Sequence, residues 1–163
     1  MKILSISEIK ENIIDSFSCG NVELDRFLKK NALINDLNGY GKTFVLENNK
    51  EILGFFTLCS FSIKFDEYPN TRKEVLPKYP IPCIKIARLA VNEKYQKQGC
   101  GKELLKQAFL KILSVSDTVG IRIVVVDAKE SAINFYTKYG FSPLENGKNS
   151  YYLSIDTLRE AIK

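Results

Sequence analysis

Gly99 and Gly101 stand between an apolar run, Ala87 to Val91, and a segment with Leu104, Leu105, Ala108 and Ile112 at helical spacing. The pattern reads as a buried strand, a short turn, a glycine-containing loop and the start of a helix. A backbone without side chains at a helix start lets a phosphate approach the unpaired N–H groups of the first turn, and the helix dipole favours its charge. The chemistry this implies is a pyrophosphate cradle. Two common phosphate loops do not fit. The loop of nucleotide hydrolases needs Ser or Thr after Gly-Lys, where this chain has Glu103 after Gly101-Lys102. The dinucleotide fingerprint needs a third small residue where Leu104 stands.

What remains is Gln96-x-x-Gly99-x-Gly101, the spacing of an acetyl-CoA loop. A second motif, Asn134-Phe135-Tyr136 followed by Tyr139-Gly140-Phe141, comes about 35 residues later. In this order and spacing the chain resembles the GNAT family of N-acetyltransferases. The resemblance implies an α/β fold with a mixed, partly antiparallel sheet whose central strands, 83–91 and 121–126, splay apart around acetyl-CoA. It implies that the cofactor meets the backbone at Leu89, Ala90 and Val91. It also implies contact along the loop Gln96, Lys97, Gln98, Gly99, Cys100, Gly101 and Lys102. Family members usually carry Gly or Arg where Lys97 stands; its backbone N–H is still available, and its ammonium either reaches a phosphate or is solvated. By the same resemblance Tyr136 gives a proton to the departing CoA thiolate. A phenol with a pKa near 10 keeps that proton at neutral pH. Ala132, Phe135, Tyr136 and Tyr139 also fall at helical spacing, so core packing is the other reading of Tyr136. Asn134 either contacts the pantetheine or lies on the solvent face. Cys100 sits at a helix N-terminus, where a thiol pKa falls, and reads as an oxidation site rather than a nucleophile.

The resemblance extends beyond the loop. Phe17-Ser18-Cys19-Gly20-Asn21-x-x-Leu24-Asp25-x-Phe27-Leu28 with Ala32, then Thr43 to Leu46, Gly54 to Leu58 and Ala87 to Val91, resemble one GNAT subfamily. That subfamily holds the toxins of bacterial toxin–antitoxin pairs, which acetylate the α-amine of the aminoacyl group on charged tRNA. Charged tRNA as acceptor and a ribbon-helix-helix antitoxin as partner follow from the resemblance, and a homodimer is compatible with it. Residues 70–111 hold ten Lys or Arg against three Asp or Glu. Such a basic field suits the phosphates of CoA or of a nucleic acid. Lys85 and Arg88 are the substrate candidates within it. Arg88 is an odd charge in an apolar strand and either faces a substrate cleft or pairs with a carboxylate. Two other readings stand beside the toxin: an N-acetyltransferase of a small amine, and a CoA-binding module without catalysis.

Composition agrees with this chemistry. The chain has no histidine, which excludes Ser-His and Cys-His nucleophiles and histidine-ligated metal; direct attack of an amine on a thioester needs none of these. No metal is expected. At 163 residues and 45% hydrophobic content the chain reads as one globular domain over 1–163. Cys19, Cys59, Cys83 and Cys100 form no C-x-x-C pair. With no signal peptide they read as reduced thiols in a cytoplasm, the last as above and the other three as core. The longest uncharged apolar run, 52–63, is too short to span a bilayer, so no membrane association is expected. Strands are expected at 2–6, 42–47, 51–63, 83–91, 121–126 and 151–155. Helices are expected from an Asn21 cap to a stop at Gly39, and over 99–119, 131–139 and 156–162. Residues 66–82 read as a proline-rich loop or broken helix. The helices are expected on one face of the sheet.

Overall fold

The computed structural model describes residues 1–69, 76–145 and 149–162. Its strands are β1 (Lys2–Ser5), β2 (Lys42–Asn48), β3 (Glu51–Ile63), β4 (Ile81–Val91), β5 (Ile123–Asp127), β6 (Ser142–Pro143) and β7 (Ser150–Ser154), in the sheet order β1-β2-β3-β4-β5-β7-β6. The helices are α1 (Glu11–Asp15), α2 (Val22–Arg26) and α3 (Ala32–Leu37), all between β1 and β2, then α4 (Cys100–Ser116), α5 (Ile133–Lys138) and α6 (Ile155–Ile162). The expected mixed α/β fold is therefore observed, and each expected strand and helix is found within a few residues of its place. The segment expected as a loop at 66–82 lies partly outside the described residues; Phe65–Glu67 forms a 3₁₀ turn. None of the helices among the described residues is long and apolar enough to cross a membrane.

The chain packs as two compact units, Met1–Cys59 with Ile86–Leu110, and Ser60–Lys85 with Lys111–Lys163. In the first unit, β1 pairs antiparallel with β2, and β2 with β3. The helix expected after Asn21 is continuous but irregular: α2 passes through a π-helical stretch, Phe27–Asn31, into α3. Its start is fixed twice. The Asn21 side chain accepts from the Leu24 N–H at 3.1 Å, and Asp25 accepts from the Cys19 N–H at 2.8 Å. The first bond satisfies a donor that a helix N-terminus leaves unpaired, and the second ties the preceding turn to the helix; together they explain the spacing of Cys19, Asn21 and Asp25.

Phe55 of β3 anchors the core of this unit. Phe17 meets it edge-on at 5.6 Å, Phe27 stacks on it at 6.2 Å, and Ile6, Leu28, Ala32 and Val45 are among the other members of the cluster. The neighbouring Gly54 points the other way, since successive strand residues alternate. A Cβ placed there would lie 2.5 Å from Leu104 Cδ1 of α4 and 2.6 Å from the Ala90 carbonyl oxygen. The N-terminal helices and α4 thus cover opposite faces of β3. This corrects the expectation of helices on one face. The apolar character of 51–58 reflects a strand buried on both sides, which alternation alone cannot reveal.

In the second unit, β5 is buried through Ile123, Val124, Val125 and Val126 and pairs antiparallel with β7, which also pairs with β6. Ile63, Tyr68, Ile81, Cys83, Ile123, Val125 and Leu144 form its core. Helix α5 stops at Gly140, where φ is +98°, and the Phe141 N–H returns to the Tyr136 carbonyl at 3.2 Å. This turn lays the Phe141 ring edge-on to Tyr136 at 5.4 Å. Helix α1 and strand β6, five and two residues long, have no counterpart in the sequence reading because neither spans enough residues to show a period.

Candidate active site

In the first unit, β4 ends at Val91 and passes into a tethered turn. The Asn92 N–H donates to the Leu53 carbonyl at 2.8 Å, and its buried side-chain amide donates to the Ile52 carbonyl at 3.0 Å. The Asn92 side-chain oxygen accepts from the Lys94 N–H at 3.0 Å and starts the 3₁₀ turn Glu93–Tyr95. Gln96 follows. Its side-chain NH₂ donates to the Val91 carbonyl at 3.1 Å and to the Cys19 carbonyl at 3.0 Å. Gln98 donates to the Lys94 carbonyl at 3.2 Å. The amides of Gln96 and Gln98 therefore hold the loop in shape.

Two residues of the loop adopt left-handed backbone, Lys97 at φ +62° and Gly99 at φ +88°. For Gly99 the conformation, not crowding, demands glycine, because an added Cβ would meet nothing within 4 Å. Lys97 adopts it at a cost of about 1 kcal/mol. The Gly99 carbonyl accepts from the Glu103 N–H at 3.1 Å, the first backbone bond of α4. The N–H groups of Cys100, Gly101 and Lys102 precede that bond and have no partner within the helix. This is the arrangement the glycine spacing predicts for an anion cradle. Gly101→Leu tests it: leucine favours the helix, so the fold should hold, while its side chain projects among these donors. The dissociation constant for acetyl-CoA, measured by calorimetry, should rise about tenfold or more. An unchanged constant would remove the pyrophosphate from this loop.

The N-terminal motif braces the same turn. The Ser18 carbonyl accepts from the Glu93 N–H at 2.9 Å, while Cys19 receives Gln96. On the loop's other flank, Glu51 accepts from the Tyr95 hydroxyl at 2.6 Å and from Lys94 at 3.1 Å. The bond from Tyr95, with Lys94 second, holds the Glu51 carboxyl below its usual range, and the same bond raises the Tyr95 phenol. Asn92, Glu51 and Tyr95 were not singled out from sequence. The signal available for Asn92 was an Asx residue directly after a strand, a common turn start. Nothing local pairs Glu51 with Tyr95, 44 positions apart.

Arg88 also lies in the first unit, on β4. Its guanidinium sits 3.6 Å from the centre of the Phe27 ring. The alternative of a carboxylate partner is not realised among the described residues. Burial lowers its pKa, with the Cys59 sulfur as the neighbouring group that counters it. Leu89 and Val91 are half-buried and Ala90 is buried, so all three candidate cofactor contacts on β4 run into the loop from the same strand.

The second unit holds the remaining candidates. Tyr136 is 7% exposed and meets Phe135 edge-on at 5.1 Å as well as Phe141. Burial pushes its phenol up to about 12. No described residue accepts a hydrogen bond from its hydroxyl. Asn134 is exposed on α5. Lys85 is held by Asp127 at 2.6 Å and lies over the Phe61 ring at 4.5 Å. Burial raises the Asp127 carboxyl, but the hydrogen bonds from Lys85 and Ser150 outweigh it and leave the carboxyl below its usual range. Lys85 is thus partnered within its own unit.

The cysteines depart from expectation. All four are free thiols, but only Cys83 is fully buried; Cys19 and Cys59 are half-buried. The Cys100 thiol is raised, not lowered, because burial opposes the thiolate at the helix start. Burial likewise raises Cys19 to about 11 and Cys83 to about 12.

Residues 39–143 match the acetyltransferase (GNAT) domain. Among curated proteins, a tRNA-acetylating toxin of Mycobacterium tuberculosis is 34% identical over 129 residues, covering 78% of this chain and 77% of the relative. Among solved structures, AtaT complexed with acetyl-methionyl-tRNAfMet superposes with a TM-score of 0.92 at 26% identity, covering 99% of both chains. AtaTR bound with AcCoA superposes with a TM-score of 0.85 at 26% identity, covering 99% of this chain and 98% of the other.

Proposed function

Because the chain belongs to the acetyltransferase (GNAT) family, we propose that it transfers an acetyl group from acetyl-CoA to the α-amine of the amino acid carried by charged tRNA, and so blocks translation as a toxin. The observation that carries this reading is the likeness, over nearly the whole chain, to a protein complexed with acetylated methionyl-tRNA. The loop geometry supports the cofactor half. Three unpaired N–H groups of α4 receive the pyrophosphate, and the backbone at Leu89, Ala90 and Val91 receives the acetylpantetheine arm. Acetyl-CoA supplies the activated carbonyl. The acceptor nitrogen bonds to that carbon and the C–S bond breaks. Tyr136 donates its phenolic proton to the leaving thiolate and recovers a proton from solvent, while the amine loses its own to water. An α-amine with a pKa near 8 needs no dedicated base for this. On the same reading the chain works in the cytoplasm, where charged tRNA is found, and is held in check by a ribbon-helix-helix antitoxin.

The test is a transfer assay with labelled acetyl-CoA. Label should pass to charged tRNA and not to uncharged tRNA, and the rate should fall steeply with added salt as phosphate contacts weaken. Label on spermidine or an aminoglycoside, and none on charged tRNA, would replace this reading with that of a small-amine acetyltransferase.

A further inference from the structure

Arg88 is half-buried on β4 and has no carboxylate partner among the described residues. A guanidinium removed from water normally has a carboxylate or other anion beside it, since desolvation without a partner is costly. Here the face of the guanidinium is taken by Phe27, at 3.6 Å, and no described residue supplies a carboxylate. The aromatic contact contributes attraction but uses none of the five N–H donors at the rim of the group. Phe27 is placed to do this by the π-helical stretch Phe27–Asn31 and is fixed from behind by stacking on Phe55. The Phe27 ring, stacked in turn on Phe55, holds one face of the fork, which leaves its edge pre-organised for a flat, two-pronged anion. Arg88 directly precedes Leu89, Ala90 and Val91, the segment assigned to the acetylpantetheine arm.

We propose that Arg88, clamped on Phe27, binds a phosphate of the acceptor's 3′-terminal nucleotides and thereby sets the aminoacyl end beside the thioester. This rests on the reading of charged tRNA as acceptor. The chemistry recognised is a phosphodiester or phosphomonoester, which could also be offered by CoA, so the experiment separates the two. Arg88 acts as a positioning residue: it holds the acceptor and takes no part in bond making.

The experiment compares two minimal acceptors, an aminoacyl-adenosine and the same aminoacyl-adenosine carrying a 5′-phosphate, with full-length charged tRNA as reference. For the unmodified enzyme the phosphate should raise kcat/KM about ten- to hundredfold, the range of one charge-assisted contact. In Arg88→Gln the two fragments should react at nearly the same rate, and KM for acetyl-CoA should not change. Arg88→Lys should keep part of the preference, since a point charge replaces the fork. Phe27→Leu should weaken it with the charge intact, which keeps the proposal testable should Arg88→Gln fail to fold. An equal phosphate preference in the unmodified and Arg88→Gln enzymes would overturn the proposal. A rise confined to KM for acetyl-CoA would also overturn it, by giving Arg88 to the cofactor. Failure of the unmodified enzyme to acetylate full-length charged tRNA would overturn the acceptor reading itself, and the proposal with it.

Discussion

Turnover of a Tyr136→Phe enzyme should fall by about a hundredfold or more, while its affinity for acetyl-CoA stays unchanged. The magnitude is that of a lost general acid. The reason lies in where the hydroxyl sits. The ring is buried against Phe135 and Phe141, and phenylalanine keeps that packing, so the fold should not respond. The hydroxyl alone is removed, and no described residue takes a hydrogen bond from it. Burial that raises the phenol to about 12 means the proton is present across the working pH range. Deprotonation of Tyr136 should therefore produce no fall in rate on the alkaline side below that pH. The same shift has a stability signature. A folded pKa raised above the unfolded value of about 10 gives a contribution complete below pH 10 and lost as pH rises through about 12. Stability should decline more steeply over that window in the unmodified protein than in the variant, where Tyr95, Cys19 and Cys83 still contribute, by equilibrium unfolding at a series of pH values. A Tyr136→Phe enzyme with full turnover would return this tyrosine to the core.

The second large effect is on stability. Gly54→Ala should destabilise the protein by about 3 kcal/mol or more, lowering the melting temperature by roughly 6–12 °C for a chain of this size. The added Cβ would lie 2.6 Å from the Ala90 carbonyl oxygen, a backbone atom of the adjacent strand that cannot rotate away. Leu104 Cδ1, at 2.5 Å, could adjust, but only by shifting a side chain that is fully buried. The close approach is what lets α4 lie against the end of β4 and bring its N-terminal N–H groups to the loop. Loss of acetyl-CoA affinity should accompany the loss of stability. Gly99→Ala is the contrast: it meets no neighbour, and its cost should be only the left-handed backbone, about 1 kcal/mol. A Gly54→Ala protein that melts at the unmodified temperature would show that the β3–β4 contact is not rigid.

Much of the site was legible in the residues because its chemistry is local. The loop from Gln96 to Lys102 is contiguous, and its glycines report a helix start and a left-handed turn whatever surrounds them. The same holds for the Asn21 cap and for the stops at Gly39 and Gly140, where φ is +78° and +98°. Backbone sterics decide these positions within a few residues.

Tertiary structure decided what depends on partners far along the chain. The paired role of Glu51 and Tyr95, the tether from Gln96 to Cys19 and the seat of Asn92 on Ile52 join positions 40 or more residues apart. The side-chain periodicity of one segment carries no information about which distant carbonyl it will meet. The need for glycine at position 54 is of the same kind, since it arises from a helix fifty residues later. Burial settled the ionisations. A thiol at a helix start reads as acidic in sequence, but Cys100 is raised by the low-dielectric surroundings that only packing creates. Arg88 is the clearest division between the two levels. Its sequence context marks a charge out of place in an apolar strand, while only the folded chain shows that charge over the Phe27 ring with no carboxylate among the described residues, because a cation's partner is fixed by three-dimensional proximity and not by the order of residues.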